Sequence, residues 1–271
     1  MFQHILVPLD GSALSEQALL PAARLARASR AQLTLVHVHD AASPDPILVE
    51  DLPVIDADMH SLAAQHQRTY LERIAAGLRS DELRIATERL EGPIAPTLRN
   101  YAHERHVDLI VLTSHGRSGF ARFWLGSVAE RVIRCAGVPV LMLRPDSRIA
   151  PFRTILAPLD GSECAAAILP AVKAVAAADH ASVTLLHIHE QQGEPFDLNP
   201  IAQDLRYSGL QVDLRIEQQS ETVPAILAAA TDGNADLLAF AVTGAQRSDA
   251  GTLGHIADKL LRGATMPVLV M

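Results

Sequence analysis

The chain has 271 residues, of which 49% are hydrophobic, 20% charged and only 4% aromatic. That length suits two modest domains or one large one, and the core must be mostly Leu, Val, Ile and Ala. A net charge of −8 with no run of Lys or Arg argues against nucleic acid or an anionic membrane surface as a general partner, so any anion must be bound by a local site.

In chain order the first half reads as a strand over 2–9, a helix over 14–29, a strand over 32–38, a loop, a helix over 57–79 and a strand over 83–89. A helix over 94–105, a strand over 107–113, a second loop, a helix over 127–136 and a strand over 138–143 follow. The opening strand leaves no room for a signal peptide, and no apolar run nears the ~20 residues of a membrane helix. The longest candidate, 164–178, contains Pro170 and Lys173 and reads as a soluble helix, so a cytoplasmic protein is expected. The helices carry apolar residues three and four apart, as in Leu19, Ala22, Ala23 and Ala26. The strands are short continuous apolar runs, which suits a parallel sheet covered on both faces. Strands alternating with helices imply right-handed crossovers in an open α/β sheet, whose ligands bind at the carboxyl ends of strands where the winding reverses. The Asp10-Gly11-Ser12 turn and the loop from Thr113 to Ser127 both follow strands at that end and are expected to line one crevice.

The sequence is written twice. His4-Ile-Leu-Val-Pro-Leu-Asp-Gly-Ser12 recurs as Thr154-Ile-Leu-Ala-Pro-Leu-Asp-Gly-Ser162, and Leu33-Thr-Leu-Val-His-Val-His39 as Val183-Thr-Leu-Leu-His-Ile-His189, both 150 positions on. Later the offset falls to 128, matching Val107-Asp-Leu-Ile-Val-Leu112 to Ala235-Asp-Leu-Leu-Ala-Phe240 and Val138-Pro-Val-Leu-Met142 to Met266-Pro-Val-Leu-Val270. The second copy therefore lacks 22 residues between its second and fourth strands. A repeat this long is a duplicated domain, with copies expected over 1–147 and 148–271 and a polar, proline-flanked linker at 144–151. Cys135 and Cys164 have neither CxxC nor Cys/His spacing, which supports no disulfide framework and no zinc site.

The loop Thr113-Ser-His115-Gly116-Arg117-Ser-Gly-Phe-Ala-Arg122-Phe-Trp-Leu-Gly126-Ser127-Val128 connects a strand to a helix. The first amides of a helix have no internal partners and sit at the positive end of its dipole, so such a loop is a place to hold phosphate. Arg117 and Arg122 add charge to the loop, and His115 reads equally as a further donor or as a turn residue. Ser127-Val-Ala-Glu130 also reads as a capping box, and Asp10-Gly-Ser12 as a strand-to-helix turn capped by Ser. His37, His39, His187 and His189 invite a metal reading. Alternation along a strand is taken to put neighbouring members on opposite faces, so packing or a hydrogen bond is the expected role. A Walker A sequence, Gly-x-Gly-x-x-Gly and Gly-x-Ser-x-Gly are all absent.

These residues resemble the universal stress protein family in its tandem, two-domain form, over nearly the whole chain. The family's signature is Gly-x-x-Gly, nine residues, then Gly-Ser or Gly-Thr. Gly116 to Gly126 followed by Ser127 fits it, with Thr113 in place of the first glycine. Pro8-Leu9-Asp10 and Val38 also look like the family. The resemblance implies two tandem open parallel five-stranded sheets with helices on both faces, Rossmann-like and adenine nucleotide alpha hydrolase-like. It implies an ATP site in which Asp10 and the Val38 main chain meet adenine and ribose while Gly116, Gly126 and Ser127 hold phosphates, with Mg²⁺ carried by the phosphates. In the second copy Asp160, Ile188, Gly244 and Gly254 persist, but Ala241, Ala245 and His255 replace Thr113, Arg117 and Ser127. A lost hydrogen bond to a charged group is worth about 1.5–3 kcal/mol, roughly tenfold to a hundredfold in affinity, so a weaker second site is expected.

The functional expectation is an ATP-binding stress-response module rather than an enzyme, because no catalytic lysine, general base or carboxylate metal clamp is visible. A slow ATPase or nucleotidyl transferase, and a nucleotide-independent scaffold, are the alternatives. By resemblance the apolar final strands pair the two copies as an intramolecular pseudo-dimer, with further homo-oligomers open. The stretch at 41–58, present only in the first copy, is a candidate lid over the nucleotide.

Overall fold

A computed structural model describes residues 1–40, 57–114, 125–145, 150–189, 195–242 and 253–271. The first copy runs β1 His4–Pro8, α1 Leu19–Ser29, β2 Gln32–His39, α2 Ala57–Leu78, β3 Arg84–Glu91, α3 Ile94–Glu104, β4 Leu109–Thr113, α4 Ser127–Cys135 and β5 Val140–Leu143. The second runs β6 Thr154–Pro158, α5 Glu163–Ala166, α6 Leu169–Asp179, β7 Ser182–His189, α7 Asn199–Tyr207, β8 Val212–Gln218, α8 Thr222–Asp232, β9 Leu237–Phe240, α9 His255–Gly263 and β10 Val268–Val270. The candidate lid lies outside the described residues except at its helical end.

The helix expected over 14–29 is broken into a 3₁₀ turn, Ser15–Ala18, and α1. Pro21 is the cause: it has no N–H to donate into the preceding turn, and its ring excludes the carbonyl four residues back. The second copy repeats the device with Pro170 in the first turn of α6. Both proline-opened helices end on a left-handed residue, Arg30 at φ 54° and His180 at φ 55°.

Among the described residues the strands form one sheet of ten, ordered β3-β2-β1-β4-β5-β10-β9-β6-β7-β8. All pairings are parallel except β5 with β10, which run antiparallel through Val140↔Val270, Leu141↔Leu269 and Met142↔Val268. The two five-stranded sheets expected from the sequence thus fuse into one. Each copy would otherwise end on a short apolar strand with an open row of N–H and C=O groups, and the antiparallel pair satisfies both edges at once. The inner strands are buried on both faces, as the continuous apolar runs imply: β4 and β5 have no exposed residue, whereas the outer strands β3 and β8 are polar and only partly buried. One core face holds Ile5, Leu33 and Leu35 with Ile155, Val183 and Leu185; the other holds Leu6, Val36 and Ile110 with Leu156, Leu186 and Leu238. Both faces are continuous across the two copies.

The copies are further tied by charge. Arg24 of α1 grips Asp179 of α6 through two hydrogen bonds, Nε to Oδ1 at 2.7 Å and Nη2 to Oδ2 at 2.8 Å, and Asp179 Oδ2 also accepts the Phe152 amide at 2.8 Å. Arg144, at the start of the expected polar linker, is buried and donates to the Leu261 carbonyl, and burial pulls its pKa down to about 10. Among the described residues no helix is long and apolar enough to cross a membrane.

Candidate functional site

Within each copy the strand order reverses direction at one place. From β1 the chain winds outward to β2 and β3, then returns to β4 and β5 on the other side of β1. The β1/β4 boundary is therefore the switch point, and β6/β9 is its counterpart. Parallel pairing brings the carboxyl ends of β1, β2 and β4 to one rim. Asp10, Val38 and Thr113 consequently stand at the same edge of the sheet, as the sequence implied.

The turn after β1 is built around Asp10. Gly11 adopts φ 83°, a conformation an L side chain resists, and this lets the chain fold back so that Asp10 Oδ1 accepts from the Ser12 amide at 3.0 Å and the Ser12 hydroxyl at 2.6 Å. Ser12 Oγ in turn accepts the Ser15 amide at 3.1 Å. Ser15, a residue sequence reasoning passed over, is buried and takes the Asp10 amide on its hydroxyl at 3.3 Å while donating to the Ser12 carbonyl at 2.9 Å. Asp160 repeats the Ser162 contacts at 2.9 and 2.6 Å, but Ala165 stands where Ser15 stands, so the second turn lacks that outer tie. Asp10 is half-buried and Asp160 is exposed.

The last paired residues of β1 and β2 are Pro8 and Val36. The Leu9 amide donates to the Val36 carbonyl at 2.8 Å, so Val36 turns its peptide groups toward β1, and Val38, two residues on, turns its own the same way. Val38 thus presents its peptide groups beside the Asp10 turn, beyond the end of the β1 ladder. His37 is buried with Nδ1 donating to the Leu9 carbonyl at 2.8 Å, and His187 does the same to Leu159 at 2.8 Å. Both bonds pin the strand end that leads into the aspartate. The expectation that neighbouring histidines face opposite ways is wrong: residues two apart on a strand share a face, and the His187 and His189 rings stack with centroids 6.2 Å apart.

At the other side of the switch point, β4 runs through Thr113 into fully buried Ser114, whose amide donates to the Leu143 carbonyl at 2.9 Å. The Gly126 amide donates to the Ser114 carbonyl at 2.8 Å and closes the base of the loop. This narrows the expectation that Gly126 helps to hold phosphate: its N–H is spent on the loop and is not offered to an anion. The intrahelical ladder of α4 opens with the Glu130 amide on the Gly126 carbonyl at 2.9 Å, which leaves the amides of Ser127, Val128 and Ala129 without intrahelical acceptors. Ser127 is the first helical residue rather than the cap, and it and Val128 are exposed. The capping box does not form, because Glu130 turns to Arg134 at 2.7 Å and to Arg262 of the other copy at 3.3 Å. Those two guanidinium groups offset a carboxylate that would otherwise oppose an anion at the helix start. His115, Gly116, Arg117 and Gly244 lie outside the described residues.

The second copy keeps the backbone plan: the Val242 amide donates to Met271 at 2.7 Å and the Gly254 amide to Val242 at 3.0 Å. Its lining differs, with Ala241, Val242 and His255 where the first copy has Thr113, Ser114 and Ser127.

The sequence model of the universal stress protein family matches residues 1–144 and 151–271, one match per copy. A universal stress protein of Methanocaldococcus jannaschii is 30% identical over 144 residues, covering 53% of this chain and 83% of its own. Universal stress protein YxiE of Bacillus subtilis is 32% identical over 149 residues, covering 53% of this chain and 100% of its own. The crystal structure of a universal stress protein from Archaeoglobus fulgidus superposes over 98% of this chain and 97% of its own with a TM-score of 0.75 at 21% identity, a likeness of fold. Matched in both halves by that model, the chain belongs to the universal stress protein family.

Proposed function

We propose that the first copy binds ATP at the β1/β4 switch point and that the protein is a cytoplasmic, nucleotide-responsive stress-response module. The observation that carries this reading is the closure of the Ser114–Gly126 loop base, which sets three amides of α4 at the rim that also carries Asp10 and Val38. In this reading Asp10 accepts from ribose hydroxyls or the exocyclic amine, and the Val38 main chain reads the adenine edge. The amides of Ser127, Val128 and Ala129 take phosphate oxygens, with Gly126 allowing close approach. His115, Gly116 and Arg117 join them by family resemblance, and Mg²⁺ rides on the phosphates rather than in a protein cage.

The nucleotide is bound rather than turned over, consistent with a sequence that has no Walker A lysine. The β5–β10 pairing joins the two copies edge to edge, which supports reading the protein as an intramolecular pseudo-dimer. Mass spectrometry of small molecules released from the purified, denatured protein should find adenine nucleotide. Gly126→Val should then weaken ATP at least tenfold while circular dichroism stays unchanged. Undiminished binding by the folded variant would defeat the reading.

A further inference from the structure

We infer that Phe196 occupies the nucleoside half of the second copy's crevice and keeps a nucleobase out of it. The identity of that crevice rests on the reading of the first copy above; the position of the ring does not. Gly161, the counterpart of Gly11, has φ 85°, and a Cβ placed on it would meet Phe196 at 2.8 Å from Cδ2, 3.0 Å from Cγ and 3.3 Å from Cε2. The ring therefore lies directly against the backbone of the Asp160-Gly161 turn. Its centroid is also 6.0 Å from that of His187, with the ring planes tilted by 58°. Phe196 thus bridges the ends of β6 and β7, between Asp160 and the residue before Ile188. Those two ends correspond to the ones that carry Asp10 and Val38. An aromatic ring there covers apolar surface much as a base would.

The shortened second copy explains how the ring gets there. α2 has 22 residues, whereas α7 has nine and starts only three residues after Phe196. In the first copy α2 brings a polar wall to the end of β2: fully buried Gln67 meets His39 Nδ1 at 3.2 Å and accepts from Arg89. β2 pairs His37 with Arg89, but β7 pairs His187 with Ile216, so among the described residues the arginine of that wall has no counterpart in the second copy. An isoleucine thus stands where the first copy has an arginine, and the Phe196 ring adds apolar surface against His187.

Calorimetric titration with adenosine tests this without leaning on the altered phosphate end. The wild-type chain should bind one equivalent, Phe196→Ala two, and Phe196→Trp, which keeps the space filled, one. Phe196→Leu keeps more apolar cover and should still gain a second, weaker site should the alanine variant fail to fold. A folded Phe196→Ala or Phe196→Leu chain that binds no more adenosine than wild type overturns the inference. A wild-type chain that binds none, with one equivalent gained in Phe196→Ala, would sink the reading of the first copy and leave this one standing.

Discussion

Asp10 acts through the company it keeps. Its Oδ1 takes two bonds from Ser12, and Ser15 holds its amide, so the turn itself orders the carboxylate, and in the proposed reading no ligand has to do so. Ser12→Ala removes the hydroxyl that both donates to Asp10 and accepts the Ser15 amide, and should cost about 1 kcal/mol of stability in urea unfolding. It should also weaken ATP severalfold in a binding titration. Ser162→Ala deletes the matching cap, which accepts the Ala165 amide at 3.0 Å, and should cost a similar ~1 kcal/mol with no change in ATP affinity. Equal affinity losses in the two variants would count against the asymmetry between copies. At this scale the sequence was only partly readable. The DGS turn announces itself by residue type, but the spending of the Gly126 amide depends on where Ser114 ends, and nothing local encodes that.

Among the elements, α2 shows how a helix unique in length to one copy is held to the site. Tyr70, on its buried stripe with Ala63, Leu71 and Ala75, donates to Glu16 Oε1 at 3.0 Å and so ties α2 to the turn that carries Ser15. Burial first, then the bond to Glu16, raises the Tyr70 pKa above its ordinary value near 10. The sign follows directly. Above pH ~10 an unfolded tyrosine gives up its proton while the folded one keeps it, so the fold binds more protons and stability falls as pH rises. Below that pH the contribution is fully present. Wild-type stability should therefore decline more steeply than that of Tyr70→Phe above pH ~10 in urea titrations, and parallel declines would contradict the assignment. Element boundaries were legible where one cause dominates. Continuous apolar runs marked the inner strands, and spacing of three and four marked the helices. The break before α1 was missed because Pro21 interrupts a pattern whose apolar spacing continues through it.

For the whole molecule, the join between copies matters most. β5 and β10 supply the hydrogen bonds, and Arg24 with Asp179 supplies a partly buried ion pair whose carboxylate is fully enclosed. Breaking such a pair from one side strands the partner, so Asp179→Ala should cost about 3–5 kcal/mol in denaturant unfolding, and a loss under 1 kcal/mol would contradict the role given to it. The duplication was plain from the repeated strands, and pairing of the two copies through their final strands was implied by the family resemblance. Neither told the direction of that pairing, because the apolar run of each final strand fits a parallel or an antiparallel neighbour equally. Phe196 was invisible for a related reason: its place depends on a helix that the second copy has shortened. The central claim is that one crevice, at the β1/β4 switch point, takes the nucleotide. Equilibrium titration of ATP into wild type, Asp10→Ala and Asp160→Ala tests it most directly. One site per chain is expected, weakened at least tenfold by Asp10→Ala and unchanged by Asp160→Ala, whereas two equal tight sites, or equal losses in both variants, would contradict it.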